Sequence, residues 1–407
     1  MRFAHIADCH LGSWREQKLR ELNMNSFRFA IDACITNKVE FLIIAGDLFN
    51  TSLPSVDVLK EVVRHLKNLK DNGIRVYAVA GSHDFSPSGK TMLDVLENAG
   101  LLVNVAKGRV NNGMLQLRFT IDKPTGVKIT GLPGRKGLLE GSYYESLDRE
   151  SLLKEQGIKI FVFHTALTEY KPKELQAVES LPLSFLPMGF DYYAGGHVHS
   201  KLIAQPKGYG FVVMPGPLYP NNFAELEKLR HGNMLLVEID NNEIKPKELE
   251  VKLIDVLKVT VDCDKKAAEQ VNLELSEAID SLDVKNKLVL VRFSGVLDSG
   301  RVFDIDMNRA FNNLYSKGAY FVMRNTSELH SREFEQIRIA ANPAEDIEVQ
   351  LVNEHSSDLS VFKDEKAVIK ELIALLSKSK VEGETNTDYE ERILSEFDKL
   401  IGKHKNI

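Results

Sequence analysis

Short apolar runs alternate with longer amphipathic segments through the first part of the chain. Residues 41–45 are apolar throughout, which is too short for an independent helix and is typical of a strand covered on both faces. The segments between such runs repeat apolar residues every three or four positions, as helices do on their buried face; they are 17–36, 55–71 and 91–99. This alternation of strands and helices predicts a largely parallel sheet with helices outside it.

A second layer is predicted from the segments that follow. Residues 115–131 alternate apolar and polar positions, as an edge hairpin does, and residues 144–156 have the composition of a helix. Strand-like runs at 211–214 and 234–239 are joined by a rigid loop at 215–217. We therefore expect an α/β fold in which a two-layer β-sandwich is flanked by helices.

The pattern changes again near residue 254, so a first domain over residues 1–253 is expected to end there. Strands at 258–262 and 288–293 and helices at 265–281 and 307–317 predict a small α+β domain over residues 254–325. The next segment, 326–360, is polar and irregular in pattern and is expected to be a linker.

Two amphipathic helices are predicted in the tail, residues 361–407. In the first, Phe362, Ile369 and Leu376 lie at heptad spacing, and in the second Thr387 and Glu390 are placed as a capping box. These helices either fold back on the protein's own core or dock on a partner, and the polar segment between them favours docking.

Length and cysteine usage restrict the class of protein. A chain of 407 residues exceeds the usual size of a single hydrophobic core. Its three cysteines, Cys9, Cys34 and Cys263, are scattered and odd in number, which is typical of a reduced, cytoplasmic protein. No apolar run approaches the roughly 20 residues of a membrane span, and the N-terminus shows no signal peptide. A membrane partner is therefore not expected.

The overall charge of −6 conceals an uneven distribution. Residues 1–240 carry 28 Lys+Arg and 26 Asp+Glu, a net charge of +2, whereas residues 241–407 carry the remaining 24 and 32, a net charge of −8. Divalent cations bound to the first part would make it more positive. The composition therefore does not exclude a phosphodiester substrate.

Aspartate or histidine residues follow five of the predicted strands. Because the carboxyl ends of parallel strands meet at one edge of a sheet, we expect these side chains to converge. In chain order they are Asp8 and His10, Asp47, the Ser82–His83–Asp84 turn, His164, and the pair His197 and His199.

Carboxylates and neutral imidazoles together suit Mn²⁺, Fe²⁺ or Zn²⁺. The set is too large for one ion, so two ions are expected, with Asp47 as the carboxylate between them. Two ions can clamp a phosphodiester, activate water and stabilise the leaving oxygen. Taken alone, His164 would more often be a core histidine, and it is the five strand ends together that favour a metal site.

These motifs resemble a known pattern. Asp8-x-His10, Gly46-Asp47, Gly81–Asp84, His164 and Gly196-His197-x-His199 are similar to the calcineurin-like metallophosphoesterase signature over roughly residues 1–240. The sequence around Asp8 and Asp47 resembles one branch of this superfamily. That branch is the double-strand-break repair nucleases called meiotic recombination eleven or SbcD-like, of archaeal type. Residues 254–325 and 361–407 resemble that family's DNA-capping domain and its docking helices for an SMC-like coiled-coil ATPase.

The resemblance implies a role for each site residue. One Mn²⁺ ion would be held by Asp8, His10, Asp47 and His199, and the other by Asp47, Ser82, His164 and His197. His83 would act as the acid or transition-state stabiliser near the leaving oxygen. Asp84 would orient His83, or would only cap its turn, and both interpretations stay open.

Two positions depart from the family pattern. Ser82 stands where the family usually has an asparagine whose amide oxygen binds metal, and a serine hydroxyl coordinates weakly unless it is ionised. The second ion is therefore expected to bind less tightly. Asn50 stands where several relatives carry a histidine that helps to position DNA, which leaves the balance of exonuclease and endonuclease action open.

The resulting hypothesis is a Mn²⁺-dependent DNA nuclease with 3′–5′ exonuclease and single-strand endonuclease action. It would process double-strand breaks as a homodimer, joined through helices 55–71 and 91–99, together with the ATPase. One alternative is a phosphomonoesterase or cyclic phosphodiesterase with the same metal core. Another is a DNA and ATPase scaffold with a weakened metal site.

Overall fold

The computed structural model describes residues 1–86, 89–176, 178–241, 243–332, 365–378, 380 and 386–404. Over these residues the strands, in chain order, are β1 Arg2–Ile6, β2 Phe41–Ala45, β3 Arg75–Val79, β4 Val103–Asn104, β5 Gly108–Asn111, β6 Met114–Leu117, β7 Thr120–Ile121, β8 Lys128–Gly131, β9 Lys159–His164, β10 Tyr192–Gly196, β11 Leu202–Ala204, β12 Phe211–Met214, β13 Gly232–Asp240, β14 Glu243–Val251, β15 Val256–Asp262, β16 Leu288–Leu297 and β17 Phe321–Ser331.

The helices are α1 Gln17–Thr36, α2 Val56–Asp71, α3 Met92–Asn98, α4 Gly141–Glu145, α5 Arg149–Lys154, α6 Phe223–Leu229, α7 Ala268–Asp280, α8 Met307–Ser316, α9 Glu365–Leu376 and α10 Asn386–His404. Single 3₁₀ turns lie at Lys136–Leu138, Thr168–Tyr170, Lys173–Leu175, Leu183–Phe185 and Val302–Asp304. No helix of the described residues is long and apolar enough to cross a membrane.

The chain divides into two compact units. The first comprises Met1–Thr260, Ile279–Arg292 and Asn308–Asn325, and the second comprises Val261–Ala278, Phe293–Met307 and Thr326–Ile407. All three cysteines are free and buried.

Two six-stranded sheets form the body of the first unit. Their strand orders are β14-β13-β1-β2-β3-β4 and β11-β12-β10-β9-β8-β7. Strands β1 to β4 are parallel to one another, as are β8, β9, β10 and β12, whereas β13, β7 and β11 pair with them in the antiparallel sense. Buried apolar side chains from both sheets form one core between them, including Phe3, Ile43, Ile160 and Val213. The predicted two-layer sandwich is confirmed.

Helices α1, α2 and α3 cover the outer face of the first sheet. Their buried apolar residues form a separate core with the opposite face of β1 to β3. The Ser55 hydroxyl accepts a hydrogen bond from the Val58 N–H at the start of α2. Thr91 and Asp94 form a capping box at the start of α3. Both helices therefore begin where side-chain acceptors satisfy their free N–H groups.

Strands β15, β16 and β17 form a three-stranded sheet in that order, and α7 and α8 connect them in the chain. Helix α7 buries Val271, Leu275 and Ile279 at helical spacing. In the tail, α9 and α10 are antiparallel to each other, since Lys403 pairs with Glu371 and Lys378 pairs with Glu396.

Several predicted boundaries differ from the structure. The expected helix 144–156 is two helices, α4 and α5, because the Asp148 carboxylate accepts a hydrogen bond from the Ser151 N–H and starts a new helix. Strand β17 continues to Ser331, inside the segment predicted as linker, and residues 333–364, including Phe362, lie outside the described residues. Helix α10 begins at Asn386, one residue before the predicted capping residue Thr387.

A buried carboxylate links the two sheets. Both oxygens of Asp122, just after β7, accept hydrogen bonds from the Arg75 guanidinium at 2.8 and 2.9 Å. The Tyr77 and Thr125 hydroxyls donate to the same carboxylate at 2.7 and 2.6 Å. Burial alone would raise the pKa of Asp122, but these donors hold it below its ordinary value.

We expect Asp122→Asn to lower the free energy of unfolding at pH 7 by about 3 kcal/mol, because Arg75 and two hydroxyls lose an ionised acceptor. The folded pKa of Asp122 is depressed, so its stabilisation is present above the unfolded pKa of about 3.9. It is lost as the pH falls through the folded value. Urea unfolding of both proteins should therefore show a difference at pH 7 that shrinks below about pH 4.

Glu238→Gln provides the control, because Glu238 also pairs with an arginine across strands but is half exposed. Its loss should cost less than about 1 kcal/mol. Equal effects of the two substitutions would show that the Asp122 network does not stabilise the fold.

Candidate metal centre

Five parallel strands from both sheets deliver the predicted site residues. Asp8 and His10 follow β1, Asp47 follows β2, and the 82–84 turn follows β3 of the first sheet. His164 is the last residue of β9, and His197 and His199 follow β10, its parallel neighbour in the second sheet. The carboxyl ends of strands from the two sheets therefore meet at one place.

The two sheets are tied together at this point by hydrogen bonds from the site itself. The His164 Nδ1–H donates to the carbonyl oxygen of Ala45 at 2.8 Å. The His197 N–H lies 3.0 Å from both carboxylate oxygens of Asp8. A Cβ on Gly196 would lie 2.4 Å from the Ala45 oxygen, so only glycine permits this approach. The packing of the sandwich and the geometry of the site are thus set together.

The backbone of the site is held in an unusual conformation. Eleven non-glycine residues of the described chain have positive φ, and five of them belong to the site. These five are Asp8, His10, Asp47, His197 and His199. Such conformations cost about 1–3 kcal/mol each and persist where the surrounding structure enforces them, often at functional sites.

Asp47 lies at the centre of the cluster. Its Oδ1 accepts a hydrogen bond from the His83 N–H at 2.8 Å. Its Oδ2 lies 3.1 Å from Nε2 of His164 and 3.6 Å from Nε2 of His10. A Cβ on Gly81 would lie 2.2 Å from Asp47 Oδ1, so the glycine lets this turn close over the carboxylate. Asp47 is fixed between side chains from both sheets.

Three overlapping groups of side chains place their donor atoms within 4.8 Å of one another, close enough to hold a metal ion. Asp8, His10 and His199 form the first group; His10, Asp47 and His83 the second; and Asp8, Asp47 and His164 the third. The first matches three of the four residues expected around one ion. In the third, Asp8 stands beside Asp47 and His164.

The electrostatics of the cluster favour positive charge. Burial raises the pKa of Asp8, and burial also lowers the pKa of His10 to about 3. Burial opposes ionisation of His164 and His199 as well, yet nearby carboxylates raise the pKa of His164 to about 10 and that of His199 to about 9. Carboxylates that attract protons onto buried imidazoles in this way also attract divalent cations.

The donor atoms themselves fit a bound cation. His164 Nε2 and His10 Nε2 are buried and face the same Asp47 oxygen at 3.1 and 3.6 Å, so both ring nitrogens point at one carboxylate. Carboxylate oxygens and imidazole nitrogens are the ligands that Mn²⁺, Fe²⁺ and Zn²⁺ accept. The residues of this centre are therefore suited to divalent metal ions.

His83 and Asp84 lie in different environments although they are adjacent in the chain. The His83 Nδ1–H donates to the carbonyl oxygen of Asn50 at 2.8 Å, which leaves Nε2 free of that bond. The Asp84 carboxylate is buried and accepts hydrogen bonds from the N–H groups of Gly81, Leu48 and Phe49. These bonds place Asp84 in the turn, and the backbone of Asn50 orients His83 instead.

Ser82 and His197 line a cleft next to His83. Ser82 is buried. Its side chain is shorter than that of the asparagine expected at this position. The ring centroid of His197 lies 5.0 Å from that of His164, and burial lowers the pKa of His197 to about 3. His197 is thus a neutral imidazole beside the third donor group.

Glu225 is part of the site but was not predicted from the sequence. Its Oε1 accepts a hydrogen bond from His199 Nδ1 at 2.9 Å, and its Oε2 accepts one from the Asn221 N–H, also at 2.9 Å. A carboxylate that holds the proton on Nδ1 of His199 leaves Nε2, on the side of Asp8 and His10, for a bound cation. The sequence feature that marks Glu225 is Asn222, a helix-capping residue three positions before it. This feature predicts a helix start and no role in a metal site.

We expect Glu225→Gln to weaken Mn²⁺ binding by about 10- to 100-fold, the usual effect of losing a carboxylate that orients a metal-binding histidine. Isothermal titration calorimetry would measure this. Glu227→Gln is a matched control on the same helix, because Glu227 pairs with Arg292 at 2.7 Å and does not contact the ligands. Equal affinity of the Glu225 variant and the parent would contradict this role.

Comparisons with known proteins find similar chains. Residues 1–201 match the family model described as calcineurin-like phosphoesterase. The DNA double-strand break repair protein Mre11 of Archaeoglobus fulgidus is 26% identical to this chain, over 100% of this chain and 96% of that protein. The Mre11 proteins of Methanopyrus kandleri and Methanocaldococcus jannaschii are 30% and 28% identical, over 59% and 71% of this chain and 54% and 75% of theirs.

Proposed function

Residues 1–201 make this chain a member of the calcineurin-like metallophosphoesterases, and on that premise we propose that it is a Mn²⁺-dependent DNA nuclease of double-strand-break repair. It is a metal-dependent phosphodiesterase. The proposed activities are 3′–5′ exonuclease and single-strand endonuclease action. The observation that carries the proposal is the convergence of Asp8, Asp47, His10, His164 and His199 at the strand ends, in a chain that aligns over its whole length with an Mre11 protein.

The site residues form two sets, one for each proposed cation. Asp8, His10 and His199 would hold one cation, and Asp47 and His164, with His197 and Ser82 nearby, would hold the other. Bound cations would polarise the phosphodiester and lower the pKa of the attacking water. Glu225 and the Ala45 carbonyl oxygen fix the rings of His199 and His164, so neither ring has to reorient when a cation binds.

His83 would transfer a proton at the leaving-group oxygen. Its Nδ1–H is held by the Asn50 carbonyl oxygen, so a proton on Nε2 is the one available for transfer. His83 is only partly buried and lines the cleft, where a substrate can reach it. Its backbone N–H is bound to Asp47, which fixes its position relative to the metal ligands.

Digestion of end-labelled single- and double-stranded DNA in Mn²⁺ tests the proposal directly. Loss of label from 3′ ends and internal cuts in single strands are the expected results. p-Nitrophenyl phosphate in the same buffer tests the phosphomonoesterase alternative. Hydrolysis of this monoester without any cutting of DNA would overturn the nuclease assignment.

Ser82 favours a second candidate, a DNA and ATPase scaffold that cuts poorly. A serine is shorter than the asparagine that the family usually has, so the ion held with His164 and His197 would bind less tightly. Metal analysis after dialysis against Mn²⁺ separates the two candidates. Two ions per chain support the nuclease, and one ion or none supports the scaffold. Ser82→Asn should then increase both metal content and cutting.

The tail is proposed to dock on an SMC-like coiled-coil ATPase. Leu394 and Phe397 of α10 are 62% and 38% exposed, whereas Val368 and Leu375 of α9 are buried. The helix pair thus keeps apolar side chains available for a partner. Deleting residues 361–407 should leave DNA cutting intact and abolish ATPase association, and a deletion variant that failed to fold would argue that the tail belongs to the protein's own core.

The proposed homodimer would use α2 and α3. Val56 and Val95 on these helices are 80% and 54% exposed, which suits contact with a second copy. A dimeric mass at micromolar concentration, measured by light scattering, is expected, and a monomeric mass would contradict it. The cytoplasmic location stays a prediction.

A further inference from the structure

A cleft of about 270 Å³ opens beside the candidate metal centre. Ser82, His83 and His197 line it together with two cationic residues, Arg135 and Lys136, from the loop after β8. The sequence analysis predicts no role for either cationic residue, because neither belongs to a metal-binding motif. Their position next to the proposed proton donor raises the question of what they bind.

The loop that carries them is fixed against the metal centre. The Gly134 N–H donates to the carbonyl oxygen of Ala80 at 2.9 Å. A Cβ on Gly134 would lie 2.3 Å from the His164 oxygen and 2.5 Å from its ring carbon Cδ2. Glycine therefore lets the loop pack directly on a predicted metal ligand, and Arg135 and Lys136 are the next two residues of this loop.

The two cations keep their charge available. The Arg135 guanidinium donates to the Tyr143 hydroxyl at 2.9 Å and lies 5.4 Å from the centroid of the Phe85 ring, so a neutral partner and a ring face hold it. Lys136 is exposed. Over the described residues, neither forms an ion pair with a carboxylate, which leaves both charges for an anion entering the cleft.

Two glutamates, Glu140 and Glu179, also line the cleft. The buried Glu140 carboxylate accepts hydrogen bonds from the Thr165 hydroxyl at 2.9 Å and from the Arg135 backbone N–H at 3.1 Å. It therefore supports the loop. Glu179 is exposed and can turn towards solvent.

We propose that this cleft is a subsite for the nucleotide unit next to the scissile phosphate, and that Lys136 and Arg135 bind the phosphate of that unit. The inference rests on the proposed nuclease function. The volume lies just below the roughly 300–1,000 Å³ of small-molecule sites, which fits a single nucleotide unit and not a duplex. The subsite would favour polynucleotides over small phosphodiesters, because only a polynucleotide carries a second phosphate.

The test compares hydrolysis of two substrates and adds one binding measurement. Bis(p-nitrophenyl) phosphate has one phosphodiester and no neighbouring phosphate, whereas a single-stranded oligonucleotide has both. Lys136→Ala should lower kcat/KM for the oligonucleotide by about tenfold, the effect of losing one charge-assisted contact. It should leave bis(p-nitrophenyl) phosphate hydrolysis within about twofold, because Lys136 does not touch the metal ligands.

Binding of the same oligonucleotide, measured by fluorescence anisotropy in Ca²⁺ at several salt concentrations, provides the second readout. The slope of log K against log salt should shrink by about 0.7 in Lys136→Ala, the value for one phosphate contact on a single strand. Lys136→Arg should retain the parent slope. Lys207→Ala, which removes one exposed charge from the loop between β11 and β12, should leave kcat/KM and slope unchanged.

The outcomes separate the subsite from the proposed function. Equal losses on both substrates, or an unchanged salt slope, would overturn the subsite. A parent protein that hydrolyses neither substrate would overturn the nuclease function, and the anisotropy comparison would still decide whether Lys136 contacts a phosphate.

Discussion

Replacing Asp47 by asparagine is expected to remove at least one bound Mn²⁺ ion per chain and to lower phosphodiester hydrolysis by at least about a thousandfold. Asp47 belongs to two of the three donor groups, so its loss affects ligands on both sides of the centre. Asparagine keeps the size of the side chain but has no negative charge. A thousandfold loss corresponds to about 4 kcal/mol, and metal-ion charge stabilisation is worth several kcal/mol.

The geometry explains why an amide cannot substitute here. The two Asp47 oxygens face three different partners: the His83 N–H at 2.8 Å, and the Nε2 atoms of His164 and His10 at 3.1 and 3.6 Å. An amide has only one acceptor oxygen. If this oxygen binds the His83 N–H, the NH₂ group points towards His164 and His10 and repels a cation held there.

Metal analysis and bis(p-nitrophenyl) phosphate hydrolysis, measured on the same preparations, check this expectation. Asp57→Asn is the control, because Asp57 lies in the first turn of α2 and belongs to none of the three donor groups. Its metal content and rate should equal those of the parent. Full metal content and activity in the Asp47 variant would remove the basis for the proposed centre.

The convergence of site residues within one sheet was predictable, because the carboxyl ends of parallel strands lie at the same edge. Parallel strands covered by helices release their following residues at one edge of their sheet, so the sequence alone predicts that Asp8 and Asp47 meet. His164 ends β9 in the second sheet, and this rule does not connect it to the first sheet. Helices α2 and α3 were also predictable at their starts, because Ser55 and Thr91 satisfy local N–H groups. Such signals depend on residues a few positions apart.

The remaining parts of the site depend on contacts between distant residues. Glu225 reaches His199 across 26 positions, and Gly134 packs against His164 across a similar separation in the chain. No local pattern marks either contact. The assignment of Asp84 shows a related limit: its neighbour in the chain is His83, but two of its hydrogen-bond partners lie in the segment after β2.

The second large effect is expected for His83→Gln, which should lower DNA cutting by about 10²- to 10⁴-fold while metal content stays at the parent level. This range is the usual contribution of a positioned acid or base. Glutamine has a similar reach and can still donate a hydrogen bond to the Asn50 oxygen, but it cannot transfer a proton. The backbone N–H of residue 83, which binds Asp47, is unchanged by the substitution.

Two substrates sharpen this test, because a general acid matters most when the leaving group is a poor one. The alkoxide oxygen of DNA needs a proton as it leaves, whereas p-nitrophenolate is stable without one. His83→Gln should therefore slow cutting of the oligonucleotide far more than hydrolysis of bis(p-nitrophenyl) phosphate. The Asp47 variant should slow both alike, since metal ions serve both reactions. Equal losses for His83→Gln on the two substrates, with metal retained, would assign His83 to transition-state charge stabilisation, and oligonucleotide cutting at the parent rate would exclude it from the chemistry.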